Sequence, residues 1–155
     1  MELKEIAEGL AAKFANGELA VADGEVAVEI DGMPILIAEG RGDAIVLTGL
    51  VGDPPAEGGE AFANLMLEAT MGLMDSKSAA LARNPETGSY ALVQRVQKGC
   101  MTLESFCGAL EEFVDALESW REMLESFRPA AASAAAKDKE APNSADMALN
   151  GFLQV

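Results

Sequence analysis

EVAVEIDGMPILIAEGRGDAIVLTGLV, residues 25–51, decides the fold. From Glu25 to Asp31 apolar and polar side chains alternate with a period of two, as in a strand with one face on a core. Asp31-Gly32 is a favoured hairpin turn. Met33 to Glu39 predicts a second strand, and Asp43 to Val51, after a short Gly-Arg-Gly turn, a third. Strands joined by turns this tight pair antiparallel, because parallel pairing needs a crossover of a dozen or more residues.

Outward from this stretch the period changes. Leu3, Ile6, Ala7, Leu10 and Phe14 recur at helical spacing, so residues 2–15 read as an amphipathic helix that Asn16-Gly17 stops. Gly52 to Gly59 (GDPPAEGG) is a loop by local composition. Glu60 to Met74 turns helical. Ala80 to Val96 (ALARNPETGSYALVQRV) reads as two short strands about a Pro85-Glu86-Thr87-Gly88 turn. Thr102 is placed as an N-cap for a long helix from Leu103 to Phe127. The order is α–β–β–β–α–β–β–α, an α+β domain over residues 1–128 with one largely antiparallel sheet packed by helices. Residues 129–155 read as an Ala-rich, flexible tail with an apolar patch at Met147, Leu149, Phe152 and Leu153.

Charge and composition exclude several classes of function. At 155 residues and 50% hydrophobic content, the chain can bury one core. Its net charge is −15. Arg128, Lys137 and Lys139 balance Asp138, Glu140 and Asp146, so the excess lies in residues 1–127. Such a surface repels phosphate backbones, so nucleic acid is not expected as a partner. No apolar run reaches the roughly 18 residues of a membrane span. MELKEIAEGL carries acids where a secretory signal carries a basic region, and a cytoplasmic location is expected. Arg41-Gly42-Asp43 spells an adhesive tripeptide, but in such a chain it reads as a tight turn.

Catalysis is not expected. Histidine is absent, which removes the commonest general base and metal ligand together. Cys100 and Cys107 stand seven apart, a spacing that suits neither a redox pair nor a metal site. The glycine-rich stretches lack a dinucleotide or phosphate-loop pattern. Ser76, Ser78 and Ser105 have no base beside them in the sequence. No cofactor or metal is expected. A carboxylate-only active site is the surviving enzymatic alternative.

Surplus apolar surface carries the functional reading. The second helix has one stripe of Phe62, Leu65, Met66, Ala69 and Leu73, and another of Ala63, Leu67, Met71 and Met74. A helix apolar nearly all round is buried nearly all round. Leaving Leu67, Met71 and Met74 in water would forgo roughly 1.5–3 kcal/mol each, against a total stability of about 5–15 kcal/mol. The second stripe is therefore expected to meet another protomer of a homodimer. In the last helix, Leu103, Phe106, Leu110, Phe113, Leu117, Trp120, Leu124 and Phe127 form a heptad seam. A coiled coil and packing on a sheet both fit it. Its four bulky aromatics favour the sheet. The strands are apolar on both faces, Leu36, Val46 and Leu50 among them, and a face not used by the core suits binding.

Element order and three stretches resemble the class I type III secretion chaperones, the Tir-chaperone family. These are NLMLEAT (Asn64–Thr70), AALARNPETGSYALVQRV (Ala79–Val96) and LESFCGALEEFVDALESWREML (Leu103–Leu124). The likeness covers about residues 1–127. Met74 to Ala79 replaces the Gly-rich step of many members, and the tail is outside the pattern. The resemblance implies a cytosolic, non-catalytic homodimer that holds an unfolded N-terminal segment of a secreted effector. It places the second helix, with Ala63, Leu67, Met71 and Met74, at the dimer interface. By position it places the effector on Leu10 and Phe14 of the first helix and on Leu36, Val46 and Leu50 of the strands. A dimeric regulatory or structural protein of the same fold without a secreted client is the alternative.

Overall fold

The computed structural model describes residues 2–13 and 19–129. The elements are α1 (Leu3–Lys13), β1 (Leu19–Ala22), β2 (Glu25–Ile30), β3 (Met33–Gly40), β4 (Ala44–Gly52), α2 (Gly59–Lys77), β5 (Ala79–Arg83), β6 (Tyr90–Gln97) and α3 (Leu103–Ser126). Six antiparallel strands form one sheet in the order β1-β2-β3-β4-β6-β5. The α+β class and the antiparallel sheet stand as read. Strand β1 is an addition. It enters through Asp23-Gly24, whose residues have φ of 52° and 82°, the same left-handed pair as Asp31-Gly32 at 52° and 73°. Both turns are of the twisted two-residue kind that suits a right-handed strand pair. Four residues, LAVA, are too short to show a period on their own.

The chain does not return beside β4 after α2. It crosses to the far edge, and the β5–β6 hairpin folds back so that β6 lies against β4. Asn84 shapes that hairpin's turn: its side-chain oxygen accepts from the Glu86 amide at 2.9 Å, and the Gly88 amide donates to the Asn84 carbonyl at 2.8 Å. Arg41-Gly42-Asp43 is the tight turn between β3 and β4, where Arg95 donates to the Arg41 carbonyl.

Register sets the two faces of the sheet. Val26, Ile37 and Leu47 align across β2, β3 and β4, as do Val28, Ile35 and Gly49. With Leu92 and Leu81 they form the inner face, which is buried. The buried residues of all three helices join these strand residues in one cluster. The seam of α3 points into it: Phe106, Leu110, Phe113 and Leu117 are buried, while Leu103, Trp120, Leu124 and Phe127 pack at its margin. Sheet packing, rather than a coiled coil, is how the seam is used. Thr102 caps α3 as expected, its hydroxyl accepting from the Ser105 amide at 3.1 Å while the Ser105 hydroxyl accepts from the Thr102 amide at 2.9 Å.

Glycine at position 49 lets this helix lie directly on β4. A Cβ there would overlap Leu117 and stand 3.2 Å from Phe113. Gly49→Val is expected to cost about 2 kcal/mol by overpacking, read as a lower urea midpoint with an unchanged slope.

Candidate functional site

Helix α2 is attached by a narrow strip. Of its 19 residues only Phe62 and Met66 are buried. Phe62 gathers an aromatic cluster, with ring centroids 5.6 Å from Tyr90, 5.0 Å from Phe127 and 6.4 Å from Trp120. Two turns further on, the Thr70 hydroxyl accepts from the Leu81 amide at 3.0 Å. That amide belongs to edge strand β5, so α2 closes the sheet edge that would otherwise present an open backbone row.

The second stripe lies on the far side of α2. Leu67, Met71 and Met74 are 66%, 63% and 62% exposed, and Ala63 is half-buried. Their spacing of four and three residues keeps them in one line along the helix. Among the described residues, the core uses none of the three large side chains.

The residues expected to hold a partner are sorted differently. Leu36, Val46 and Leu50 share the outer face of the sheet, because Leu36 pairs with Thr48 and both Val46 and Leu50 are two positions from it. Leu36 and Val46 are half-buried, and Leu50 is 48% exposed. Leu36 and Leu50 flank a shallow depression with Ala27, Pro34, Thr48 and Ala91, about 350 Å³ in volume. Leu10 corrects the expectation: it is wholly buried beneath α1 and belongs to the core. Spacing placed it on the apolar stripe of α1, and that stripe faces inward. Phe14 lies outside the described residues.

A larger groove was not foreseen from the sequence. It has a volume of about 990 Å³ and runs between α1 and the β1–β2 hairpin. Leu3, Ala7 and Ala11 form its helical wall, Leu19 and Val21 its strand wall, and Val26 part of its floor. Asp23-Gly24 was the available signal for this hairpin, since it repeats the turn chemistry of Asp31-Gly32.

At the groove's end one buried cation anchors α1. The Lys98 side chain is only 9% exposed, with its Nζ 2.9 Å from Glu39 and 3.5 Å from Glu2. Its hydrogen bond and charge hold the Glu39 carboxyl below the ordinary carboxylate range. The same bond raises the Lys98 ammonium above its ordinary value. Among the described residues no cluster of three or more carboxylates and cysteines is placed to hold a metal ion. None of the described helices is long and apolar enough to cross a membrane.

A carboxyl whose value is lowered by folding stabilises the fold above its ordinary 4.5, and this is lost as pH falls through the lowered value. The melting temperature of the wild type should therefore fall more steeply than that of Lys98→Met from about pH 5 to about pH 3. Parallel acid profiles would show that the ion pair contributes nothing.

Comparison with known proteins agrees with this architecture. No curated protein matches the chain. Solved structures share the fold at low identity. The HopA1-SchA chaperone-effector complex aligns with a TM-score of 0.64 at 15% identity, over 77% of this chain and 92% of that one. The ExsC-ExsE complex aligns with 0.66 at 16%, over 80% and 97%. The Yersinia pestis type III secretion chaperone SycH, bound to a stable fragment of YscM2, aligns with 0.58 at 15%, over 75% and 97%. These likenesses show the fold alone. The model of the Tir chaperone protein (CesT) family matches residues 5–121, from α1 through most of α3, and by that match the chain belongs to the Tir chaperone family.

Proposed function

We propose that the protein is a cytoplasmic, homodimeric chaperone that binds an unfolded N-terminal segment of a type III secreted effector and keeps it fit for export. Supporting this reading are the family match and the fold shared with a chaperone-effector complex and with a type III secretion chaperone. The observation that carries it is the line of Leu67, Met71 and Met74, roughly two-thirds exposed along one side of α2.

Two of the molecule's apolar surfaces differ in shape, and they serve different partners in this reading. The α2 stripe is straight and convex, which suits a second α2 about a two-fold axis. Burying the three side chains there returns roughly 1.5–3 kcal/mol each. The outer face around Leu36, Val46 and Leu50 is broad and shallow, which suits an extended polypeptide laid across it with side chains in small depressions. Catalysis has no place in this function. In this reading the chaperone domain is residues 1–128. The family match ends before the tail at 129–155, which stands outside the chaperone domain in this reading.

Light scattering at micromolar concentration should give twice the 16.2 kDa of one chain. Met71→Glu should weaken the dimer by about 100-fold, or roughly 3 kcal/mol, because two carboxylates would be buried at one axis. Purification from the native cell, followed by mass spectrometry, should recover a secreted protein bound through its N-terminal segment. A clean monomer without such a client would overturn the reading.

A further inference from the structure

We propose that the apolar segment at residues 147–155 docks in extended form on the outer-face depression flanked by Leu36 and Leu50, so that the chain covers its own open sheet face. The docking stands apart from the client-binding reading. Its consequence, that a client laid on this face must first displace the segment, rests on that reading.

The depression is apolar and without charge. It crosses four strands: Ala27 of β2 pairs with Leu36 of β3, Leu36 with Thr48 of β4, and Leu50 of β4 with Ala91 of β6. None of its lining residues is charged, on a chain whose net charge is −15. The groove beside α1 differs, with Glu2, Glu8, Asp23, Glu25 and Glu39 in its walls.

MALNGFLQV, residues 147–155, complements this shelf. It holds no charged side chain. Met147, Leu149, Leu153 and Val155 fall at even spacing about Gly151, the period at which an extended chain sets alternate side chains on one surface. Ala148, Asn150 and Gln154 fall on the opposite side, with Phe152 the one large apolar side chain there.

Position and length bring the two together. The chain leaves α3 at the end of the sheet where the depression lies. Pro129 packs on Gly58, so closely that a Cβ on Gly58 would stand 2.8 Å from it. Gly58 is at most about 18 Å of backbone from Asp53, whose carboxylate accepts from the Ser89 hydroxyl at 2.7 Å. Ser89 lines the depression, so Pro129 stands within roughly 30 Å of it. Residues 130–146 reach about 55 Å when extended, which spans the gap with slack. The α1 groove opens at the opposite end of β3, beside Ala38 and Glu39. A tether of this length holds its end at a roughly millimolar effective concentration. A segment of only about 0.1 mM intrinsic affinity would then cover the face about tenfold more often than it leaves it open.

The test uses the full chain with a nitroxide on Asn150→Cys in a Cys100→Ser background, Cys107 being buried. Relative to the reduced label, the amide signals of Leu36, Thr48, Leu50 and Ala91 should lose more than half their intensity, and those of Val21, Leu67 and Met71 should keep theirs. Met147→Ser/Leu149→Ser/Leu153→Ser in the same labelled chain should restore the lost signals. Leu50→Glu, at an exposed position, should restore those of Leu36 and Ala91. When nitroxide chains without isotope are mixed with isotope-labelled chains without nitroxide, no signal should fall.

Several results would overturn the proposal. One is a loss at Ala7 and Val21, which would seat the segment in the α1 groove. Another is a loss at Leu67 and Met71, which would seat it on α2. Losses that persist in the triple serine variant, or no localised loss at all, would leave the depression without this occupant. Equal losses in the mixed sample would assign the segment to a second copy. Failure of the export reading would look different: the expected signal losses, yet no secreted protein recovered from cells.

Discussion

The contact between α3 and β4 is the one on which the rest of the structure depends. It needs a helix whose apolar residues run in one line and a strand that offers no side chain beneath its middle. The seam from Phe106 to Leu117 provides the first, and Gly49 the second. Once this long helix lies on the inner face, α1 and the anchoring edge of α2 can only complete the same layer. Among the described residues, the outer face is left without a helix. Its apolar residues are a consequence of the strands' composition meeting a one-sided arrangement of helices.

Helix α2 shows the same logic at the level of one element. Phe62 and Met66 anchor it, Phe62 reaching the rings of Tyr90, Trp120 and Phe127, and Leu65, Ala69 and Leu73 pack beside them. Thr70 adds a hydrogen bond to the free edge of β5. This is enough to hold a 19-residue helix at a sheet edge while the described residues leave most of its circumference uncovered. A helix buried through a narrow strip displays its remaining side chains at fixed spacing on a rigid support, which is what recognition of another chain requires. The surplus charge of the domain acts at a different range. Its net charge of −15 acts beyond any single contact and adds a long-range field to the short-range apolar surfaces.

The Lys98 cluster joins the two scales. It is a point where β3, the end of β6 and the first turn of α1 are held by one buried ammonium. Because α1 forms a wall of the groove, whatever fixes its N-terminus also fixes the groove's width. A surface ion pair would contribute little to such positioning. Here only the lysine side chain is shielded, at 9% exposure, while the Glu39 and Glu2 side chains are 48% and 72% exposed, so the cluster fixes a direction at α1 more than it adds stability.

Locally determined features were legible in the residues themselves. Alternation in Glu25–Ile30, the Asp31-Gly32 turn, the Pro85–Gly88 turn, the Thr102 cap and the α3 seam all depend on neighbours within a few positions, so the sequence by itself settled them and the α+β class with them. The surplus stripe of Leu67, Met71 and Met74 was legible for the same reason, because helical spacing separates it from Phe62 and Met66. Tertiary structure alone decided that β6 rather than β5 lies beside β4, and that the stripe containing Leu10 faces the core. It alone brought Ala7 and Ala11 opposite Val21 to open a groove. Periodicity tells which residues share a face, but not what that face meets. That is set by how far apart in the chain the contacting elements are and by the volume each leaves unfilled.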